Sequence, residues 1–217
     1  MNYQTSARTP SPPTVRFFHG VHVNRPNDSI GKLKKHFTEA GFTKVKMHSY
    51  GFMPALIAPL RNGGIVKDLV PEIALGDILV GHSNGGTIIR ELAEAGVRMG
   101  GAVLINPAVD DDYQFPSSVP WVHVYFNKDD DVVSWSRLYF LYRSWGDMGR
   151  DGYIGPNDGR YTNFDGGNPS EPWLPRLSGH SDIFSKEKIE KWGPYMAWNA
   201  WRAWERDAKI AALPPLP

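Results

Sequence analysis

The sequence predicts an α/β fold in which a mostly parallel sheet of about six strands lies between layers of helices. Short runs of β-branched and aromatic residues alternate along the chain with stretches whose apolar residues recur at helical spacing. One run, Gly101–Ile105, is apolar almost throughout, as expected for a strand buried on both faces of a parallel sheet. Strands that alternate with helices indicate βαβ units whose helices cover both sides of the sheet.

Length and composition indicate one globular domain. A chain of 217 residues can bury a full hydrophobic core, and its 41% hydrophobic and 22% charged residues are ordinary for a soluble protein. We expect a flexible tail over residues 1–13, a single domain over 14–210 and a second tail over 211–217. No apolar run is long enough for a transmembrane helix, and none resembles a signal peptide, so the expected location is cytoplasmic.

Charge and cysteine content exclude several classes of function. A net charge of +1 leaves no electrostatic footprint for nucleic acid or for an anionic membrane. The chain has no cysteine, which excludes disulfides and thiolate metal sites. Three adjacent aspartates, at 129–131, lack the spaced ligands of a calcium loop. We therefore expect no metal, no cofactor and a small-molecule partner.

The predicted elements follow in chain order. Strands are predicted at 14–18, 44–48, 77–82, 101–105, 121–126 and near 160–164. Helices are predicted from Asp28 or Ser29 to about Ala40, over 63–75 with an interruption at Pro71, and over 84–96, 133–143 and 185–208. The aromatic residues of the last helix are expected to pack it onto the sheet.

A Gly-x-Ser-x-Gly sequence, Gly81 to Gly85, lies between the third predicted strand and the helix after it. A strand that reverses at once into a helix puts the central residue, Ser83, on a strained turn with its hydroxyl at the carboxyl edge of the sheet. The two glycines suit this turn because a Cβ at either position would strike the neighbouring strand or helix. A serine hydroxyl is a weak nucleophile near neutral pH and needs a histidine base, which in turn needs an acid.

With this motif in place, the chain resembles the α/β-hydrolase superfamily, in its serine esterase and lipase branches, from Thr14 to the last helix. The resemblance implies an α/β-hydrolase-type three-layer sandwich and the chain order nucleophile, acid, histidine. Of the seven histidines, only His180 follows the acid candidates, so it is the predicted base. The two antiparallel strands that usually precede the first strand are missing here, which implies the reduced sheet of about six strands.

The acid is assigned less directly. The stretch Phe126-Asn-Lys-Asp-Asp-Asp-Val-Val133 resembles the turn in which the family's acid precedes one residue and then an apolar pair. That register selects Asp130. Asp129 or Asp131 remains an alternative if it turns inward instead, and Asp110 remains one because some relatives carry the acid after the preceding strand.

The resemblance also implies two backbone N–H groups that hold the developing oxyanion. One belongs to the residue after the nucleophile, here Asn84, at a helix start where the dipole favours negative charge. The other follows the first strand, where His19-Gly20-Val21 matches the family's His-Gly signature and points to Val21. His22 and Asn24 are further candidates to face the pocket.

Residues 135–175 are predicted to form a loop-rich cap over the site. Its aromatic residues either line an apolar or sugar-stacking pocket or only pack the cap; they are Trp135, Tyr139, Tyr142, Trp145, Tyr153, Tyr161 and Trp173. The candidate substrate contacts are His22, Trp135 and Trp145.

The predicted function is that of a serine hydrolase that cleaves carboxylic esters through an acyl-enzyme. The alternatives are a catalytically silent binding protein with the hydrolase fold, whose aromatic 144–179 region would be a partner surface, and a thioesterase, lactonase, amidase or lyase on the same scaffold. Oligomeric state is not predicted.

Overall fold

The computed structural model describes residues 11–23, 29–132, 145–156 and 158–211. Six strands form one sheet in the order β2-β1-β3-β4-β5-β6, and every pairing is parallel. The strands are β1 Thr14–Phe18, β2 Lys44–His48, β3 Ile78–His82, β4 Gly101–Ile105, β5 Val122–Phe126 and β6 Tyr161–Asp165. The predicted reduced parallel sheet is confirmed, and each strand lies within about a residue of its predicted position.

Helices cover both faces of the sheet. The α-helices are α1 Leu33–Glu39, α2 Ala58–Leu69, α3 Asn84–Glu94, α4 Met148–Asp151 and α5 Lys186–Ala211, and a 3₁₀ turn at Ile30–Lys32 leads into α1. The helix predicted over 133–143 lies outside the described residues. Tyr161–Asp165, which the sequence places within the cap segment, forms the last strand of the sheet.

The position of α2 corrects the prediction over 63–75. The helix begins at Ala58, with Pro59 in its first turn, and ends before Pro71, which lies in a 3₁₀ turn. A proline is tolerated in the first turn because the N–H at that position has no partner within the helix, whereas an interior proline would remove a hydrogen bond. Pro59 therefore belongs to the helix start, and the segment 58–62, which precedes the predicted helix, is helical.

Alternate residues of each strand face two separate hydrophobic layers. Val15 and Phe17 of β1 face α1 and α5, whereas Phe18 faces α2 and α3. The long helix α5 contributes the fully buried Trp192 to the first layer, as predicted for its aromatic face. The two layers make the molecule a three-layer α/β sandwich.

Edge strand β2 carries Lys44 and Lys46, which are exposed. Lysines on an edge strand discourage pairing with another chain, so these two residues protect the β2 edge of the sheet. Among the described residues, no helix is both long and apolar enough to cross a membrane. The cytoplasmic location stays a prediction.

A buried ion pair joins β1 to the residue before β3. Arg16 Nε donates to Asp77 Oδ2 at 2.5 Å, and both side chains are only 4% exposed. Arg16 Nη2 also donates to the carbonyl oxygen of Glu72 at 2.6 Å, while the amide of Ala74 donates to the same Asp77 oxygen at 3.0 Å. These bonds tie the turn before β3 to the neighbouring strand β1.

Substituting Asp77→Asn should lower the free energy of unfolding by about 3 kcal/mol, because a guanidinium ion would remain buried without its counter-charge. Urea denaturation followed by circular dichroism measures the change. The matched control is Glu190→Gln, which breaks the exposed Lys35–Glu190 pair and should leave the free energy of unfolding nearly unchanged, because solvent screens an exposed ion pair. Removing the cation as well, in Arg16→Met with Asp77→Asn, should recover part of the loss. If Asp77→Asn and Glu190→Gln lowered the free energy of unfolding equally, the stabilising role of the buried Arg16–Asp77 pair would be contradicted.

Candidate active site

The carboxyl ends of the parallel strands place the predicted functional residues, together with Asn106, which sequence reasoning missed, at one edge of the sheet. His19 and Gly20 follow β1, and Ser83 follows β3. Asn106 follows β4, while Asp130 comes a short turn after β5. Residues far apart in sequence are brought to one edge because all the strands run in the same direction.

Ser83 occupies a strained turn between β3 and α3. Its φ of 56° and ψ of −125° lie in a region that non-glycine residues rarely adopt, and its amide donates to Ile105 O at 3.1 Å. A Cβ on Gly85 would lie 2.2 Å from Phe18 O, and one on Gly81 would lie 2.6 Å from the Gly85 backbone. Both glycines are therefore required by close backbone contact, as the sequence predicts.

His180 and Asp130 form a hydrogen-bonded pair. His180 Nδ1 lies 2.7 Å from Asp130 Oδ2, and the Asp130 side chain is fully buried. A carboxylate accepts this bond, so Nδ1 carries the proton and Nε2 presents its lone pair. Asp129 and Asp131 are exposed, and Asp110 lies beside Gly146. The structure thus places Asp130, of the four candidates, against the predicted base.

The loop that carries His180 packs on the end of β3. The rings of His82 and His180 are 4.8 Å apart, and His82 directly precedes Ser83. Within the described part of the chain, neither Ser83 Oγ nor His180 Nε2 has a hydrogen-bond partner. Both atoms are therefore available to a substrate, and catalytic hydrogen bonds commonly tighten only when one is bound.

The loop after β1 lies directly over Ser83. A Cβ on Gly20 would lie 2.8 Å from Ser83 Cβ and 3.3 Å from Ser83 Oγ. His19 Nδ1 donates to Gly20 O at 2.7 Å, while His19 Nε2 accepts from the Tyr50 amide at 3.4 Å. A trans peptide unit points its C=O and N–H in opposite directions, so holding Gly20 O fixes the direction of the Val21 N–H. Burial lowers the pKa of His19, which keeps its ring neutral in this role.

Asn84 is fully buried at the start of α3. Its side chain exchanges two hydrogen bonds with the side chain of Asn62 on α2, both 3.0 Å long, and its Oδ1 accepts from Trp145 Nε1 at 3.3 Å. Hydrogen bonds from Asn62 and Trp145 to its side chain therefore fix Asn84, the residue predicted to supply one oxyanion N–H. Sequence reasoning missed Asn62, because an asparagine inside an amphipathic helix gives no sign of its partner.

Solved structures with the same architecture identify the fold. The ydeN gene product from B. subtilis is 17% identical with a TM-score of 0.52, covering 88% of this chain and 98% of its own. Alpha/beta hydrolase domain-containing protein 10 from mouse is 14% identical with a TM-score of 0.53, covering 85% and 88%. The chain has the α/β-hydrolase fold. TT1662 from Thermus thermophilus is a further neighbour, 14% identical with a TM-score of 0.51 over 91% and 90% of the two chains.

Comparisons of sequence, unlike those of structure, found no match. No protein-family model matches the chain, and no curated protein matches it. Ser83, Asp130 and His180 all lie at the carboxyl edge of the sheet, the edge at which ligands bind in parallel α/β folds.

The candidate substrate contacts have different surroundings. His22 is exposed, and its Nε2 accepts from the Ala55 amide at 3.2 Å, so it holds the segment before α2 beside the loop that follows β1. Trp145 is buried with Met53, Ala58 and Ala108. Trp135, Tyr139, Tyr142 and Asn24 lie outside the described residues.

Two other aromatic residues of the predicted cap belong with the sheet instead: Tyr161 is the first residue of β6, and Tyr153 packs against it. The rings of Tyr153 and Tyr161 stack 3.6 Å apart, and both residues are buried. Trp173 is half exposed and contacts Tyr195 of α5 edge to face. In residues 11–23, 29–132, 145–156 and 158–211, no three histidine, aspartate or glutamate side chains are grouped as a metal site requires.

Proposed function

We propose that the protein is a serine hydrolase that cleaves carboxylic esters through an acyl-enzyme intermediate. The observation that carries the proposal is the buried Asp130–His180 pair, 2.7 Å long, at the same sheet edge as a serine on a strained strand-to-helix turn. Nucleophile, base and acid are then present in the roles that a triad needs, each on a different segment of the α/β-hydrolase fold.

In the acylation step, Ser83 Oγ attacks the ester carbonyl while His180 Nε2 takes the hydroxyl proton. The negative charge that forms on the carbonyl oxygen is held by the N–H groups of Val21 and Asn84. When this intermediate collapses, the bond to the alkoxy oxygen breaks, and the proton on His180 leaves with the alcohol. The acyl group remains on Ser83.

Deacylation repeats these transfers with water as the nucleophile. His180 Nε2 takes a proton from water, the water oxygen attacks the acyl carbon, and the proton returns to Ser83 Oγ as the acid departs. Asp130 stays ionised throughout; it keeps the proton of neutral His180 on Nδ1 and stabilises the imidazolium ion that forms in each step. These steps need only side chains, backbone N–H groups and water.

The structural neighbours support hydrolysis as the reaction class. The mouse neighbour is named as a protein with an alpha/beta hydrolase domain. The choice of an ester over a thioester, lactone or amide rests on the resemblance to serine esterases, since a fold and a triad do not name a substrate.

A fluorophosphonate probe tests the reaction class without a guess at the natural substrate. The folded protein should take up one phosphonyl group, located by mass spectrometry on the peptide that contains Ser83, because the probe mimics an acyl substrate at an activated serine. Protein unfolded in urea before the probe is added is the control and should stay unlabelled. Absence of label on the folded protein, or label on another residue, would favour the silent binding protein.

A further inference from the structure

One backbone carbonyl, that of His180, accepts hydrogen bonds from two buried side chains. His82 Nε2 lies 3.1 Å from His180 O, and Asn106 Nδ2 lies 3.0 Å from the same oxygen. A carbonyl oxygen has two lone pairs, so both are used. The donors come from neighbouring strand ends, since His82 is the last residue of β3 and Asn106 follows β4.

This arrangement fixes the proton on His82. Its Nε2 must carry the hydrogen to donate to a carbonyl, so its Nδ1 is an acceptor, and that atom is buried without a partner in the described residues. Burial first, and then repulsion from His180 whenever that ring is protonated, lower the pKa of His82 to about 3. His82 therefore stays neutral, and its single ring N–H donates to His180 O.

Asn106 is built for the same contact. Its φ of 40° is left-handed, a conformation that asparagine tolerates better than most residues, and its side chain is buried. Its Oδ1 has no hydrogen-bond partner in the described part of the chain. A buried unpaired acceptor costs stability, and this site holds two of them around one carbonyl. An apolar side chain at either position would avoid that cost, which indicates a role beyond packing.

We propose that His82 and Asn106 are positioning residues that clamp the backbone of His180 so that its ring meets both Asp130 and Ser83. The proposal rests on the proposed function, in which His180 is the base. Among the described residues, the bond to Asp130 is the only hydrogen bond of the His180 ring, and the side-chain hydrogen bonds from Ser178 and Lys188 to Asp182 lie beside the histidine and do not reach it. The clamp also assigns a role to His82, which occupies the first variable position of the Gly-x-Ser-x-Gly motif.

Three single variants test the clamp by kinetics on p-nitrophenyl butyrate. His82→Leu removes one donor, and Asn106→Gly removes the other while suiting the left-handed backbone. Each should lower kcat about 10- to 100-fold with KM changed less than about threefold, since a misplaced base affects the chemical step more than binding. His82→Gln, which keeps an N–H donor at similar reach, should retain kcat within about threefold of the wild type.

Hydrogen exchange of residues 178–184 provides a readout that does not depend on activity. In His82→Leu and Asn106→Gly this segment should exchange faster than in the wild type, with β1 and β4 unchanged as internal controls. Unchanged exchange in both variants would overturn the clamp. Faster exchange with normal kcat would overturn its positioning role. If the wild type proves inactive, the proposed function fails, while exchange alone still decides whether the clamp exists.

Discussion

Replacing Ser83 with alanine should lower kcat for p-nitrophenyl butyrate by about 10⁶-fold, since loss of the nucleophile removes both steps of the acyl-enzyme route. The residual rate should come only from substrate binding and oxyanion stabilisation, with water as the nucleophile that attacks the ester. The fold should persist, because alanine has the same backbone restriction as serine at a φ of 56°. The kcat is measured from initial rates at saturating ester, with the enzyme concentration taken from the total protein concentration.

The matched control is Ser117→Ala, at an exposed serine in the loop between β4 and β5. It should leave kcat and KM unchanged. Both variants should melt within a few degrees of the wild type, which separates loss of chemistry from loss of structure. A Ser83→Ala protein that is folded and still turns over ester at the wild-type rate would end the proposal.

The second large effect concerns the acid. Asp130→Asn should lower kcat by about 10⁴-fold, because an amide NH₂ facing Nδ1 would move the histidine proton to Nε2, where it blocks proton transfer from Ser83. The change is isosteric, so it tests the charge and the tautomer of His180 without opening a cavity. Steady-state kinetics with the same ester measures it.

Asp129→Asn and Asp131→Asn are controls supplied by the chain itself. Both side chains are exposed, whereas Asp130 is fully buried against His180, so each should change kcat less than about twofold. A loss in Asp129→Asn or Asp131→Asn that matched the loss in Asp130→Asn would mean that the acid had been misassigned.

Much of the fold could be predicted because parallel sheets leave a strong pattern in sequence. Gly101–Ile105 is apolar at nearly every position, and its burial on both faces explains why. The boundaries of α2 could not be predicted as well, because a proline such as Pro59 either starts or interrupts a helix, and only the packing of the helix distinguishes the two. A strand was predicted near 160–164, but its membership in the sheet rather than in a cap depended on the pairing of β6 with β5.

The candidate site divides in the same way. Ser83 and the glycines around it form a local pattern, since a tight turn imposes its requirements on adjacent residues. The partners of that turn are not local. Asn62 contacts Asn84 from 22 positions away, and His82 contacts His180 from 98 positions away, so no spacing in the sequence reveals either contact.

The sequence by itself determined the order of strands and helices, the nucleophile turn and the residue types of the site, because these depend on short-range sterics and periodicity. Only the tertiary structure decided which aspartate faces His180 and which side chains hold the base and Asn84 in place. Three adjacent aspartates have nearly the same local chemistry. Burial and hydrogen bonding, which arise when distant strand ends meet at one edge of the sheet, make Asp130 differ from its neighbours.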